Sequence, residues 1–181
     1  MASTHVYAGT ARSMGATAGG IFRQAAGDNR WEHLTNGVPE DADVHAITVH
    51  PENPDVVYVG STKGAYRSTN RGNTWERLRL PEDADIWSVC IHPKNPRIVY
   101  AGATPPGVYR SDDVGQTWKR FDHGVKAEAT MMGVAVHPRD PNQVYGVSRF
   151  GQVFGTQDGG RSWNETRLPE GVRDVYAVAC G

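Results

Sequence analysis

Four tryptophans set the frame. Trp31, Trp75, Trp118 and Trp163 stand 44, 43 and 45 residues apart. The eight residues that end at the last three read STNRGNTW (68–75), SDDVGQTW (111–118) and TQDGGRSW (156–163). A worn copy, QAAGDNRW, ends at Trp31. Self-similarity at a fixed period means one supersecondary unit copied along the chain, each copy burying its apolar face against its neighbours. The repeats run over about 1–50, 51–92, 93–137 and 138–181, within a single domain of 181 residues.

Each repeat holds the same four short apolar stretches. The first set is VYAG, VYVG, VYAG and VYGV, starting at Val6, Val57, Val99 and Val144. GIFR, GAYR, GVYR and QVFG follow, then the Trp segments RWEHL, TWERL, TWKRF and SWNET. HAITVHP, WSVCIHP, MGVAVHP and YAVACG complete the set. These runs are rich in Val, Ile and Tyr and are bounded by Gly, Pro, Asn or Asp, which is the signature of strands; no helical periodicity competes with it. Four antiparallel strands in a repeat of this length predict a propeller blade. The expected fold class is all-β, a β-propeller of four-stranded antiparallel blades with four blade-equivalents per chain.

The pattern S-x-D-x-G-x-[TS]-W resembles the Asp-box, or BNR repeat, of sialidase-like, sortilin-like and photosystem-assembly propellers. It departs from that pattern at Asn70, at Thr156 and throughout the first copy. The physics of the box is that of a turn. Gly72, Gly115 and Gly160 supply positive φ, and Asp113, Asp158 and the amide of Asn70 accept backbone N–H bonds inside the loop. The resemblance implies that the box joins the third and fourth strands of a blade, and that each segment ending in HP is the innermost strand of the next one. The outer strands carry Glu76-Arg77, Lys119-Arg120 and Glu165, charges that discourage edge pairing with other chains.

Innermost strands alternate small and bulky residues: Ala46/Thr48 against Ile47/Val49, Ser88/Cys90 against Val89/Ile91, Gly133/Ala135 against Val134/Val136. That alternation suits blades stacked face to face. The sequence opens on a second strand, near Val6, and closes on a first strand, Val175–Gly181. The last strand is expected to pair with the strands of residues 6–34. Pairing within one chain gives four blades; pairing between two chains gives an eight-bladed homodimer. The resemblance favours the dimer, because rings of this kind generally hold six or more blades.

Charge and composition narrow the function classes. A formal net charge of −1 gives no electrostatic pull toward nucleic acid or an anionic membrane. No apolar run approaches the roughly 18 residues of a membrane span, and the N-terminus MASTHVYAGT carries no basic-then-apolar signal, so a cytoplasmic location is expected. Two cysteines, Cys90 and Cys180, make no disulfide framework and read as thiols of a reducing compartment. No cofactor is expected. His50, His92 and His137 could form a metal-binding ring, but each sits in a repeated H-P-x-[ND]-P loop, and repetition marks a structural turn.

Function is expected where the repeats disagree. The entrances to the innermost strands read Asp43-Val44-His45, Asp85-Ile86-Trp87, Thr130-Met131-Met132 and Asp174-Val175-Tyr176. His45, Trp87, Met132 and Tyr176 are four different side chains at one repeat position, and they are the predicted ligand-binding residues. Lys63 and Arg149, from loops opening on the same face, join them, with Arg12 nearby. Mixed aromatic and charged groups around a central mouth make a binding site for a protein partner, a small molecule or a glycan. The expected role is a non-enzymatic scaffold or binding module. The alternative is a glycoside-hydrolase-like enzyme using two carboxylates from Asp43, Asp85, Glu128 and Asp174. The sialidase reading is weak. Arg97-Ile98 is followed by Val99 rather than Pro, and Arg23, Arg67 and Arg110 recur at one repeat position instead of forming a separate triad.

Overall fold

The computed structural model describes residues 4–12 and 19–181. The repeats become four antiparallel sheets. The first holds β1 (His5–Thr10), β2 (Gly20–Ala25) and β3 (Glu32–Leu34). The second holds β4 (Val44–Val49), β5 (Val57–Ser61), β6 (Gly64–Ser68) and β7 (Glu76–Arg77). The third holds β8 (Asp85–Ile91), β9 (Val99–Thr104), β10 (Gly107–Ser111) and β11 (Lys119–Arg120). The fourth holds β12 (Met131–Val136), β13 (Val144–Ser148), β14 (Gln152–Thr156) and β15 (Asn164–Arg167). Strands follow one another across each sheet in chain order, and among the described residues there is no helix.

The box works as the sequence indicates. Ser111 Oγ accepts from Gly115 N at 2.8 Å, while Asp113 Oδ1 accepts from Thr117 N at 2.8 Å and Oδ2 from Thr117 Oγ1 at 2.6 Å. The Thr117 bonds hold the Asp113 carboxyl at about 2, below the ordinary carboxylate range. Thr156 and Asp158 repeat the pattern with Gly160 and Ser162. Asn70 substitutes for the aspartate: its Oδ1 accepts from Thr74 N at 2.9 Å. Gly72, Gly115 and Gly160 have φ of 90°, 91° and 89°, as the turn requires. The three loop histidines are turn residues too. Nδ1 of His50, His92 and His137 each accepts from two backbone N–H groups of its own loop.

The core lies in the seams between sheets. Successive inner strands pack together, β1 on β4, β4 on β8 and β8 on β12. Val57, Val59, Tyr66 and Trp75 face the first sheet and are buried with Ile21 and Val44. Tyr58 and Ile86 fill the next seam, Tyr100, Met131 and Phe154 the third. Each such side chain gives about 1.5–3 kcal/mol on full burial. Gly60 and Gly102 let the next inner strand come close: a Cβ on Gly60 would lie 2.8 Å from the Ile86 carbonyl oxygen, and one on Gly102 2.7 Å from that of Met131.

A polar latch crosses two seams. The fourth box residue has positive φ (Arg71 60°, Val114 57°), which turns its carbonyl toward the preceding sheet. Arg71 O accepts from Tyr7 Oη at 3.1 Å and Arg23 Nη1 at 2.6 Å. Val114 O accepts from Tyr58 Oη at 3.1 Å and Arg67 Nη1 at 2.8 Å. In the third seam Arg110 instead binds Asp112 and lies over the rings of Tyr100 and Phe121. The fourth sheet has Gly155 at the arginine position and Val147 at the close-approach glycine.

The structure differs from expectation at its two ends. Residues 175–181 form no strand and pair with no sheet. They run beside β12, where a Cβ on Gly133 would meet Val178 Cγ1 at 3.0 Å, and Val175 N donates to Arg149 O at 3.1 Å. Among the described residues the first sheet therefore has three strands instead of four. Among the described residues no contact of comparable extent joins the first sheet to the fourth, so the four sheets form an open arc.

Candidate functional site

Every complete sheet has the same irregularity. The register between the innermost strand and its neighbour slips at Val44/Ala46, at Ile86/Ser88 and at Met131/Gly133. The skipped residues are His45, Trp87 and Met132. A bulge re-aims the extra side chain out of the ladder. Three of the four positions at which the repeats disagree are thus ones that the backbone turns out of the regular sheet. The sequence shows the disagreement; the bulge that causes the re-aiming leaves no mark in it.

His45 and Trp87 meet across a seam. Their rings stack with centroids 3.8 Å apart and planes 6° from parallel. His45 Nε2 and Trp87 Nε1 are enclosed, and neither has a hydrogen-bond partner among the described residues. Burial of an unbonded N–H costs free energy that a bound acceptor would recover. Burial lowers the His45 pKa, opposed by the carboxylates of Asp43 and Asp85, so the neutral ring is favoured. Met132 is buried, and Tyr176 is 64% exposed.

Several of the charged candidates are already partnered. Asp43 Oδ1 accepts from Arg12 N at 2.7 Å. Lys63 Nζ lies 2.7 Å from Asp41 Oδ2, and Arg149 Nε donates to Asp174 Oδ1 at 2.9 Å. Asp85 opens β8 opposite Thr104. Glu128 stands apart from this group: Arg167 on β15 donates to it at 2.6 and 3.2 Å, which lowers its pKa. The structure brings His45, Trp87, Asp43 and Asp85 together and places Glu128 with the outermost strand of the fourth sheet. Among the described residues no group of three or more His, Cys, Asp or Glu could hold a metal ion.

Comparison with known proteins agrees with this architecture. The family described as "Sortilin, neurotensin receptor 3" matches residues 107–178. The GH74 enzyme of Niastella koreensis superposes with a TM-score of 0.77 at 16% identity, over 98% of this chain and 32% of that one. The GH74 xyloglucanase of Xanthomonas campestris gives 0.69 at 21% identity, over 94% and 29%. YCF48 bound to D1 peptide gives 0.64 at 14% identity, over 94% and 52%. The fold is that of a β-propeller. The propeller arc spans between about a fifth and a half of the solved propellers it superposes on, and at such identities the likeness carries the fold alone. No curated protein sequence matches the chain.

Proposed function

We propose that the chain is a non-enzymatic recognition module and that it binds an extended protein segment across the bulge row of His45, Trp87 and Met132, with Tyr176, Lys63 and Arg149 at the rim. The observation that carries this reading is the stacked His45–Trp87 pair with two enclosed, unbonded ring nitrogens. A peptide has what this pair lacks: carbonyl acceptors at regular spacing, and no net charge to oppose Asp43 and Asp85. YCF48, a propeller of similar fold, is bound to D1 peptide, which makes a peptide the first ligand class to test. The probes are D1 peptide and a scrambled peptide of the same composition, titrated by calorimetry. Binding of the first that is lost in Trp87→Ala and His45→Ala, with unchanged thermal unfolding, bears the reading out. Equal binding by both variants refutes the assigned row.

One observation favours a second reading. Asp43 and Asp85 flank an aromatic pair, and the GH74 enzymes share the fold. A glycosidase would draw two carboxylates from Asp43, Asp85, Glu128 and Asp174, of which Glu128 is held by Arg167 and Asp174 by Arg149. Xyloglucan and a panel of chromogenic glycosides test it. Turnover abolished by Asp85→Asn or Asp174→Asn establishes an enzyme, and its absence from all substrates rejects this reading.

A further inference from the structure

The two ends of the arc are complementary. Val57, Val59, Tyr66 and Trp75 are 0–7% exposed in the first seam. Their counterparts in the first sheet are Val6, Ala8, Phe22 and Trp31, of which Val6 is 49% and Trp31 47% exposed. Two of the four positions that are buried in the first seam face solvent here, while Ala8 and Phe22 are half-buried. Beside it, where the fourth strand of the sheet is missing, Tyr7 and Gly9 of β1 and Val44–Ile47 of β4 line a hollow of about 240 Å³. At the other end, residues 175–181 lie where the innermost strand of a next blade belongs, with no sheet to join.

We infer that residues 175–181 of a second copy fill this hollow, pair with β1 and close two arcs into one eight-bladed ring. The repeat fixes the register. β4 meets β5 as Val44↔Ser61, Ala46↔Gly60, Ile47↔Val59, Thr48↔Tyr58 and Val49↔Val57. The same pairing sets Val175 opposite Thr10, Ala177 opposite Gly9, Val178 opposite Ala8, Ala179 opposite Tyr7 and Cys180 opposite Val6. Tyr176 then falls at the bulge, next to His45 of the other copy. The bulge row is thus incomplete in one chain, and each copy supplies a residue to the other's site. This extends the proposed function by naming a contributor to the row, while the strand pairing itself does not depend on what the row binds. The open edge of β1 presents unpaired N–H and C=O groups, which a strand of matched register satisfies. Closure within one chain would instead bend four blades into a full circle, which the separation of the first and fourth sheets opposes.

Cross-linking tests the register. His50 N donates to Val56 O, so Ile47 and Val59 form a pair without mutual hydrogen bonds, the geometry in which side chains come closest. Ala8 and Val178 inherit that geometry. In a Cys90→Ser, Cys180→Ser background, a chain with Ala8→Cys is mixed with a differently tagged chain with Val178→Cys and oxidised. The expected result is a covalent heterodimer on a non-reducing gel, with neither chain cross-linking alone. The Ile47→Cys, Val59→Cys chain is the control for reactivity. Failure of the mixture while the control reacts overturns the inference. So does a chain carrying both Ala8→Cys and Val178→Cys that oxidises only to a faster-migrating monomer. Since no ligand is present, these outcomes are independent of peptide binding.

Discussion

The latch across the second seam can be taken apart by a double-mutant cycle. Val114 O accepts from Tyr58 Oη at 3.1 Å and from Arg67 Nη1 at 2.8 Å. Tyr58→Phe keeps the buried ring and removes one donor while the other remains, so the expected cost is about 1 kcal/mol. Arg67→Met keeps the stem and removes the charged donor, at about 1.5 kcal/mol. Together they strip the carbonyl of both donors, and a positive-φ backbone keeps it aimed into the seam. The orphaned acceptor adds about 1–3 kcal/mol, so the double variant should lose more than the sum of the singles by roughly that amount. Equilibrium urea unfolding of the four proteins measures the cycle. Additivity within about 0.5 kcal/mol would refute the shared-acceptor reasoning and would mean that water reaches Val114 O once the donors leave.

Two further outcomes follow from the same geometry. Gly60→Ala places a Cβ 2.8 Å from the Ile86 carbonyl oxygen, a backbone atom that cannot turn aside, and should cost about 1–3 kcal/mol in urea unfolding; a loss under about 0.5 kcal/mol would show that the seam yields. His45 has a folded pKa below its ordinary 6.5 because burial disfavours the imidazolium. The unfolded chain then binds more protons just below pH 6.5, so the His45 contribution is complete above that value and is lost as pH falls through the folded pKa. His45→Phe keeps the stack and removes the titration, so the stability difference between variant and parent should shift across that window; a pH-independent difference would contradict the assignment.

The legibility of the fold has a physical basis. Each blade is coded locally: Ser111, Asp113 and Gly115 specify one turn through bonds made within eight residues, and the same hydroxyl and carboxyl or amide bonds recur at Ser68, Asn70 and Gly72 and at Thr156, Asp158 and Gly160. Even the worn first copy is locally coded, since Asp28 Oδ1 accepts from Asn29 N and Arg30 N in place of the lost serine and aspartate. The disagreement among His45, Trp87, Met132 and Tyr176 was readable because repetition supplies its own comparison. What stayed hidden depends on contacts between repeats. The stacking of His45 on Trp87 joins residues 42 positions apart through a seam, and the separation of Glu128 from the other carboxylates is set by Arg167, 39 residues away. The behaviour of residues 175–181 was hidden for a further reason. Their strand-like sequence specifies a pairing, but a strand needs a partner edge, and β1 lies at the far end of the arc.

The central claim is that the free edge of β1 pairs with residues 175–181 of a second copy, which completes the recognition row. Light scattering over a concentration series tests it most directly. The account predicts a mass about twice 19.8 kDa, falling to that of a single chain when residues 175–181 are removed. A mass of 19.8 kDa for the full chain at every concentration would contradict it.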